Sequence, residues 1–286
     1  MKYAYYPGCS LETSAKEYDL SLRAVFDRLG IELVEIEDWN CCGATPGGAT
    51  SKVTATALSA RNLAWAEERG LEVMAPCSAC YKNLRKATLA LRESSELRDK
   101  VNARLDGRRI QYGPTVKGPV EVLLVDLGLD KLEVTRRLEG VKVAPYYGCP
   151  MTRPKGGYED TERPVALDQI ITALGGQPVD YVHKAKCCGG GIVLNREDVA
   201  LALTGKLIGK AMAQEADCLI TMCPLCHMLL DAYQPKVRRA LREKRDMPVL
   251  YFTQLIGLGL GIDADQLGLK RHVVSPFPML ERTGVL

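Results

Sequence analysis

Ten of the eleven cysteines in this chain fall into one pattern that occurs twice. Each copy holds a lone cysteine, then Cys-Cys-Gly, then Cys-x-x-Cys. The first is Cys9, Cys41-Cys42-Gly43 and Cys77-Ser78-Ala79-Cys80; the second is Cys149, Cys187-Cys188-Gly189 and Cys223-Pro224-Leu225-Cys226. Cys42 and Cys77 stand 35 residues apart, as do Cys188 and Cys223. The flanks repeat as well, Tyr5-Tyr6-Pro7-Gly8-Cys9 being echoed by Tyr146-Tyr147-Gly148-Cys149. Chance does not align ten cysteines in this way, whereas duplication of a folding unit does.

Hydrophobic periodicity between the cysteines shows how residues so far apart in sequence can meet. Residues 13–29 carry Tyr18, Leu22, Val25 and Leu29 on one helical face, with Ser14 and Glu17 placed for a capping box and Gly30 as a stop. Residues 31–36 alternate like a strand leading to Cys41. A helix follows through Val53, Ala57, Ala60 and Ala64 to Gly70, then a strand at 71–75 into Cys77, then a third helix from Tyr81. The second unit repeats the plan. A helix holds Leu167, Ile170, Ile171 and Leu174, a strand at 178–182 feeds Cys187, a helix carries Leu203, Leu207 and Ala211, and Cys218–Thr221 leads into Cys223. This alternation predicts an α/β protein: two tandem Rossmann-like units with parallel sheets, related by internal duplication. Every cysteine station then lies after a strand and before a helix, and those positions share one sheet edge. The expected division is 1–112 for the first cysteine-rich domain and 113–140 for a connecting helical segment (helix at 119–137). Residues 141–286 form the second domain, with an extra strand and helix at 249–261.

Composition removes several alternatives. In 286 residues, 47% are hydrophobic and 26% charged, a globular balance with room for two domains. The formal net charge of +3 comes without a basic stripe interleaved with aromatics, which argues against nucleic acid. The longest apolar runs, at 255–262 and 123–129, are too short to span a bilayer. The opening MKYAYYPG reads as a strand rather than a signal peptide, so a cytoplasmic protein is expected. In a reducing compartment eleven cysteines point to metal or redox chemistry rather than disulfides.

Five thiols per unit constrain the centre they could hold. Zinc and a cubane iron–sulfur cluster each take four ligands, which leaves one thiol idle at the same place twice. Adjacent cysteines suit a polynuclear cluster, where each can reach a different iron, so an unusual iron–sulfur cluster is favoured; zinc in one unit stays as the alternative. A thioredoxin-like dithiol at Cys77 and Cys80 would explain neither the vicinal pairs nor the lone cysteines. Cys218 has no mate in the first unit and reads as core. His227 and His183 could give a proton to a leaving thiolate or be structural. Lys82, Arg85, Lys86, Lys184 and Lys186 flank ligand candidates and either balance cluster charge or form ordinary surface. There is no ferredoxin-type cysteine run and no flavin, nicotinamide or Walker fingerprint. Electrons must therefore come from a partner.

The repeated pattern resembles the CCG cysteine-rich domain found in the B subunit of heterodisulfide reductase, over nearly the whole chain. Besides the cysteine motifs, the resemblance rests on Tyr-Gly-Cys with Arg153-Pro154, on Cys-Cys-Gly-Gly-Gly at 187–191, and on Val249-Leu250-Tyr251-Phe252-Thr253-Gln254-Leu255. It implies two noncubane [4Fe–4S] clusters. Their ligands would be Cys9, Cys41, Cys42, Cys77 and Cys80 in one set and Cys149, Cys187, Cys188, Cys223 and Cys226 in the other. It also implies an oxidoreductase acting on sulfur groups, with a small disulfide or thiol as substrate. Its partners would be the ferredoxin-like and flavoprotein components of a heterodisulfide-reductase-type complex. A non-catalytic electron-relay role in a respiratory or sulfur-oxidising complex is the alternative, since related domains occur in components of some succinate or fumarate reductases.

Overall fold

A computed structural model describes residues 1–44, 51–151, 158–241 and 246–286. In the first unit β1 (Lys2–Tyr5) leads into a short helix α1 (Gly8–Glu12) and then α2 (Lys16–Arg28), β2 (Glu32–Glu35), α3 (Lys52–Glu68), β3 (Val73–Met74), α4 (Ser78–Glu93), α5 (Ser95–Asn102) and β4 (Val116–Lys117). After α6 (Pro119–Glu121) the second unit runs β5 (Lys142–Tyr146), α7 (Ala166–Ala173), β6 (Gln177–Pro178), α8 (Glu197–Ala213), β7 (Cys218–Thr221), α9 (Pro224–Asp231), α10 (Gln234–Leu241), β8 (Val249–Tyr251), α11 (Phe252–Gly259) and α12 (Phe277–Arg282).

The strands form two four-stranded sheets of the same design, ordered β2-β1-β3-β4 and β6-β5-β7-β8. All pairs are parallel, with Ala4 opposite Val34 on one side and Val73 on the other, and Val143 opposite Pro178 and Cys218 in the second copy. The fold is thus α/β with one parallel sheet per repeat. In each sheet the chain leaves the first strand to one side and returns to the other, and that reversal opens a crevice at the carboxyl edge, where the cysteine motifs lie.

Several local expectations are corrected. Ser14 and Glu17 form no capping box: the cap of α2 is Ala15, and Glu17 is buried close under Gly268 instead of reaching back. The strand expected at 178–182 is only Gln177–Pro178, because pairing with β5 runs out after Val179 donates to Val143. The helix expected at 119–137 ends at Leu127, where Gly128 takes a φ of +87° and turns the chain. Within that connecting segment Val116–Lys117 is the fourth strand of the first sheet, and Val249–Tyr251 is its counterpart in the second.

One apolar core runs across both units, joining Tyr18, Leu22 and Phe26 of α2 to Tyr251, Phe252 and Leu255 at the start of α11. The Ser21 and Thr253 hydroxyls meet at 2.7 Å inside this interface. Burying such aromatic and branched side chains, each worth about 1.5–3 kcal/mol, ties the two units together.

Candidate metal centre

The same local device positions both cysteine sets. Each first strand ends in a tyrosine and a glycine with positive φ, Gly8 at +70° and Gly148 at +67°. A Cβ there would lie 3.0 Å from Cys80 Sγ or 3.2 Å from Cys226 Sγ. Only glycine combines that conformation with so close an approach, so Cys9 and Cys149 begin beside the Cys-x-x-Cys of their own unit. Cys77 and Cys223 are the N-caps of α4 and α9, and Cys80 and Cys226 are the third residues of those helices. The helix N-termini place partial positive charge beneath these sulfurs.

Two hydrogen bonds per unit then hold the vicinal pair. The Tyr6 hydroxyl donates to the carbonyl of Asn40 at 2.8 Å and the Tyr146 hydroxyl to that of Lys186 at 2.7 Å, each the residue before the pair. From the middle helix, the Ser59 hydroxyl donates to the Cys42 carbonyl at 3.4 Å and the Thr204 hydroxyl to the Cys188 carbonyl at 3.0 Å. Sequence reasoning noted the repeated tyrosines only as motif and missed Ser59 and Thr204. Counted from the vicinal pair they fall one residue out of step, 17 after Cys42 and 16 after Cys188, so the cysteine register alone does not reveal them.

In the first unit the thiols form a chain. Cys42 and Cys80 sulfurs are 3.5 Å apart, Cys9 and Cys42 both engage Cys41, and Cys80 also engages Cys77. In the second, Cys188 and Cys226 sulfurs are 3.3 Å apart and Cys223 engages Cys226. Gly189 and Gly190 donate backbone N–H groups to the sulfurs of Cys187 and Cys188, both at 3.3 Å. Cys42, Cys77, Cys80, Cys188, Cys223 and Cys226 are buried, Cys149 is half-buried, and Cys9, Cys41 and Cys187 are exposed. The hydrogen bond with Cys80 lowers the Cys42 thiol, and that with Cys226 lowers Cys188 and Cys223, while the same contacts raise Cys80 and Cys226. Thiols packed this closely, with no disulfide among them, fit a thiophilic metal or an iron–sulfur centre, which would draw off the protons they now share.

The remaining candidates separate. Cys218 is wholly buried in β7. His227 is buried and turned into the core, its Nε2 3.0 Å from the Val249 carbonyl. Lys184 is paired with Asp168 at 3.2 Å, and Arg85 donates to the Val116 carbonyl at 3.4 Å. Lys82 and Lys86 line a cavity of about 510 Å³ that opens beside Cys42. Arg153 and Pro154 lie outside the described residues.

The two sets are neighbours. Ser78, which follows Cys77, lies close enough for its hydroxyl to perturb the Cys223 thiol of the other unit, without forming a well-directed hydrogen bond. Tyr18 and Tyr251 both stand within electrostatic reach of Cys77 and of Cys223.

Two parallel α/β units that each gather cysteines at one sheet edge define a tandem cysteine-rich protein. The CCG cysteine-rich domain family matches residues 3–85 and 143–231, so the chain belongs to that family and carries two such domains. The chain is 37% identical over 278 residues to the 8-methylmenaquinol:fumarate reductase membrane anchor subunit of Wolinella succinogenes, covering 96% of this chain and 97% of that protein. It is 30% identical over 291 residues to the B subunit of the ferredoxin:CoB-CoM heterodisulfide reductase of Methanosarcina mazei, covering 98% and 96%. A hypothetical protein from Helicobacter pylori has the same fold, with a TM-score of 0.78 at 15% identity over 95% of this chain and 51% of that one. Among the described residues no helix is long and apolar enough to cross a membrane.

Proposed function

We propose that this chain is the catalytic subunit of a heterodisulfide-reductase-like complex. Its ligand sets are Cys9, Cys41, Cys42, Cys77, Cys80 and Cys149, Cys187, Cys188, Cys223, Cys226, each for one noncubane [4Fe–4S] cluster. The observation that carries this reading is the stack of Tyr18 on Tyr251 across the two units, each ring within electrostatic reach of both Cys77 and Cys223. Cleaving a disulfide takes two electrons and two protons and yields two thiols. Iron–sulfur clusters, when bound, supply electrons one at a time. Two sets facing one substrate let each sulfur be held as it is reduced, so no sulfur radical escapes. The chain's own contribution is to fix the sets at adjoining sheet edges and to present Lys82 and Lys86 at the cavity beside Cys42, where they attract an acidic substrate. Electrons arrive from a ferredoxin-like partner joined to a flavoprotein.

A second reading, an electron relay within a fumarate-reductase-type complex, is favoured by the likeness to the Wolinella succinogenes protein. One experiment separates the two. In the complex with its electron donor, Cys42→Ala and Cys188→Ala are each assayed for disulfide turnover. Collapse in both supports the shared-substrate reading. Near-normal turnover in either overturns it in favour of the relay.

A further inference from the structure

We infer that His227, Asp231 and His272, with the carbonyl of Val249, form a buried site for one divalent cation of the zinc class, separate from the cysteine sets. The ligating atoms of the three side chains lie within 4.8 Å of one another, and all three residues are buried. His227 Nε2 is 3.0 Å from the Val249 carbonyl oxygen and 3.1 Å from His272 Nδ1.

The site is rich in acceptors and poor in hydrogens. Gln254 donates its amide N–H to the Leu267 carbonyl and takes the Tyr251 N–H on Oε1, which fixes its orientation. Oε1 also accepts from His272 Nε2 at 3.0 Å, so His272 Nδ1 is left as a lone pair facing the cluster. Both Asp231 oxygens are oriented by the N–H groups of Val273 and Val274, at 2.8 and 2.9 Å. Val249 O, His272 Nδ1 and Asp231 thus converge as acceptors, and His227 Nε2 has one hydrogen to offer among them. His272 and Asp231 are thus anchored from behind by outer hydrogen bonds, which is how proteins orient metal ligands.

The duplication supplies an independent comparison. Asp231 follows Cys226 by five residues, as Arg85 follows Cys80. Val249 and Val116 take the same place in their sheets, opposite Leu219 and Val73. In the first unit the Arg85 guanidinium donates to the Val116 carbonyl with the Glu121 carboxylate within electrostatic reach. In the second, a carboxylate stands where the arginine was, and no Lys or Arg pairs with Asp231 among the described residues. A buried carboxylate needs a compensating charge. A bound cation supplies what Arg85 supplies in the other copy, and two imidazoles, a carboxylate and a carbonyl suit zinc. Such an ion would clamp residues 272–274 and β8 onto α9, the helix that carries Cys226.

The test uses the full chain with its iron, dialysed anaerobically against micromolar zinc and freed of loose metal by gel filtration. Zinc and iron are counted, and the zinc shell is read by X-ray absorption. About one zinc per chain in a shell of nitrogen and oxygen alone is expected. Asp231→Asn and His272→Gln are expected to lose that zinc at unchanged iron. No retained zinc, sulfur in the zinc shell, or full zinc in both variants overturns the proposal. If neither variant folds, the wild-type shell decides.

Discussion

The phenol rings of Tyr18 and Tyr251, one from each repeat, stack with centroids 4.2 Å apart and planes 4° from parallel. His227 stacks on the far face of the same assembly, 4.2 Å from the Tyr251 ring. The column runs from α2 of the first unit to the helix that carries Cys226, so it fixes how one cysteine set sits against the other.

Truncating this column should loosen the interface. Tyr251→Ala is expected to cost about 3–5 kcal/mol, the range for deleting a buried aromatic. Tyr251→Phe should be neutral or stabilising by about 1 kcal/mol, because the buried Tyr251 hydroxyl has no hydrogen-bond partner among the described residues. Urea unfolding of the anaerobic protein reads both. Equal losses in the two variants would mean that the hydroxyl has a partner after all.

Metal content tests the ligand sets. Anaerobically prepared protein should hold about eight iron and a similar amount of acid-labile sulfide, four per unit. Sulfur-coordinated zinc in place of iron in either unit would refute the two-cluster assignment.

Cys218 should be dispensable. It lies at the start of β7, and burial pushes its thiol up to about 12, so it stays protonated in the core. Cys218→Ala should keep full iron and lose about 1 kcal/mol of packing. Cys42→Ala and Cys188→Ala should each lose or convert one cluster. Comparable iron loss in all three would expose a misassigned ligand set.

Acid should weaken the first unit through Asp19. Burial alone would raise this carboxyl, but hydrogen bonds from Lys16 at 2.9 Å and Tyr5 at 2.7 Å, with the Arg23 charge beside it, hold it below its usual value. Its folded value therefore lies under the unfolded one. The stability it contributes is complete above about pH 4 and is lost as the pH falls through the folded value. Asp19→Asn should lower stability at neutral pH by about 1–3 kcal/mol and flatten the decline below about pH 4. An unchanged acid profile would remove Asp19 from the account.

Much of the site was legible because its ligand candidates are chemically rare residues in a fixed register. Ten cysteines in one repeated order, with the same 35 residues from vicinal pair to Cys-x-x-Cys, demand a common geometry in both halves, and alternating periodicity showed which edge they share. Boundaries were less legible. Ser14 lost its capping role because Glu17 was taken by tertiary contact with Gly268, and the helix after Pro119 stopped where Gly128 turned. Neither competition is local in sequence.

By itself, then, the sequence determined the duplication, the parallel α/β plan and the convergence of each cysteine set on a sheet edge. These follow from period and spacing, which act over a few residues or repeat along the chain. Only the tertiary structure decided which edge faces which. Tyr18 and Tyr251 come within reach of both Cys77 and Cys223 because α11 packs across α2 through those two rings and the Ser21 and Thr253 hydroxyls. It also decided that His227 and Asp231 are joined by His272, 41 residues on from Asp231, through hydrogen bonds to Val249 and Gln254. Contacts between residues so far apart depend on how whole elements pack, and that packing energy is a sum over the entire core rather than a property of any one segment.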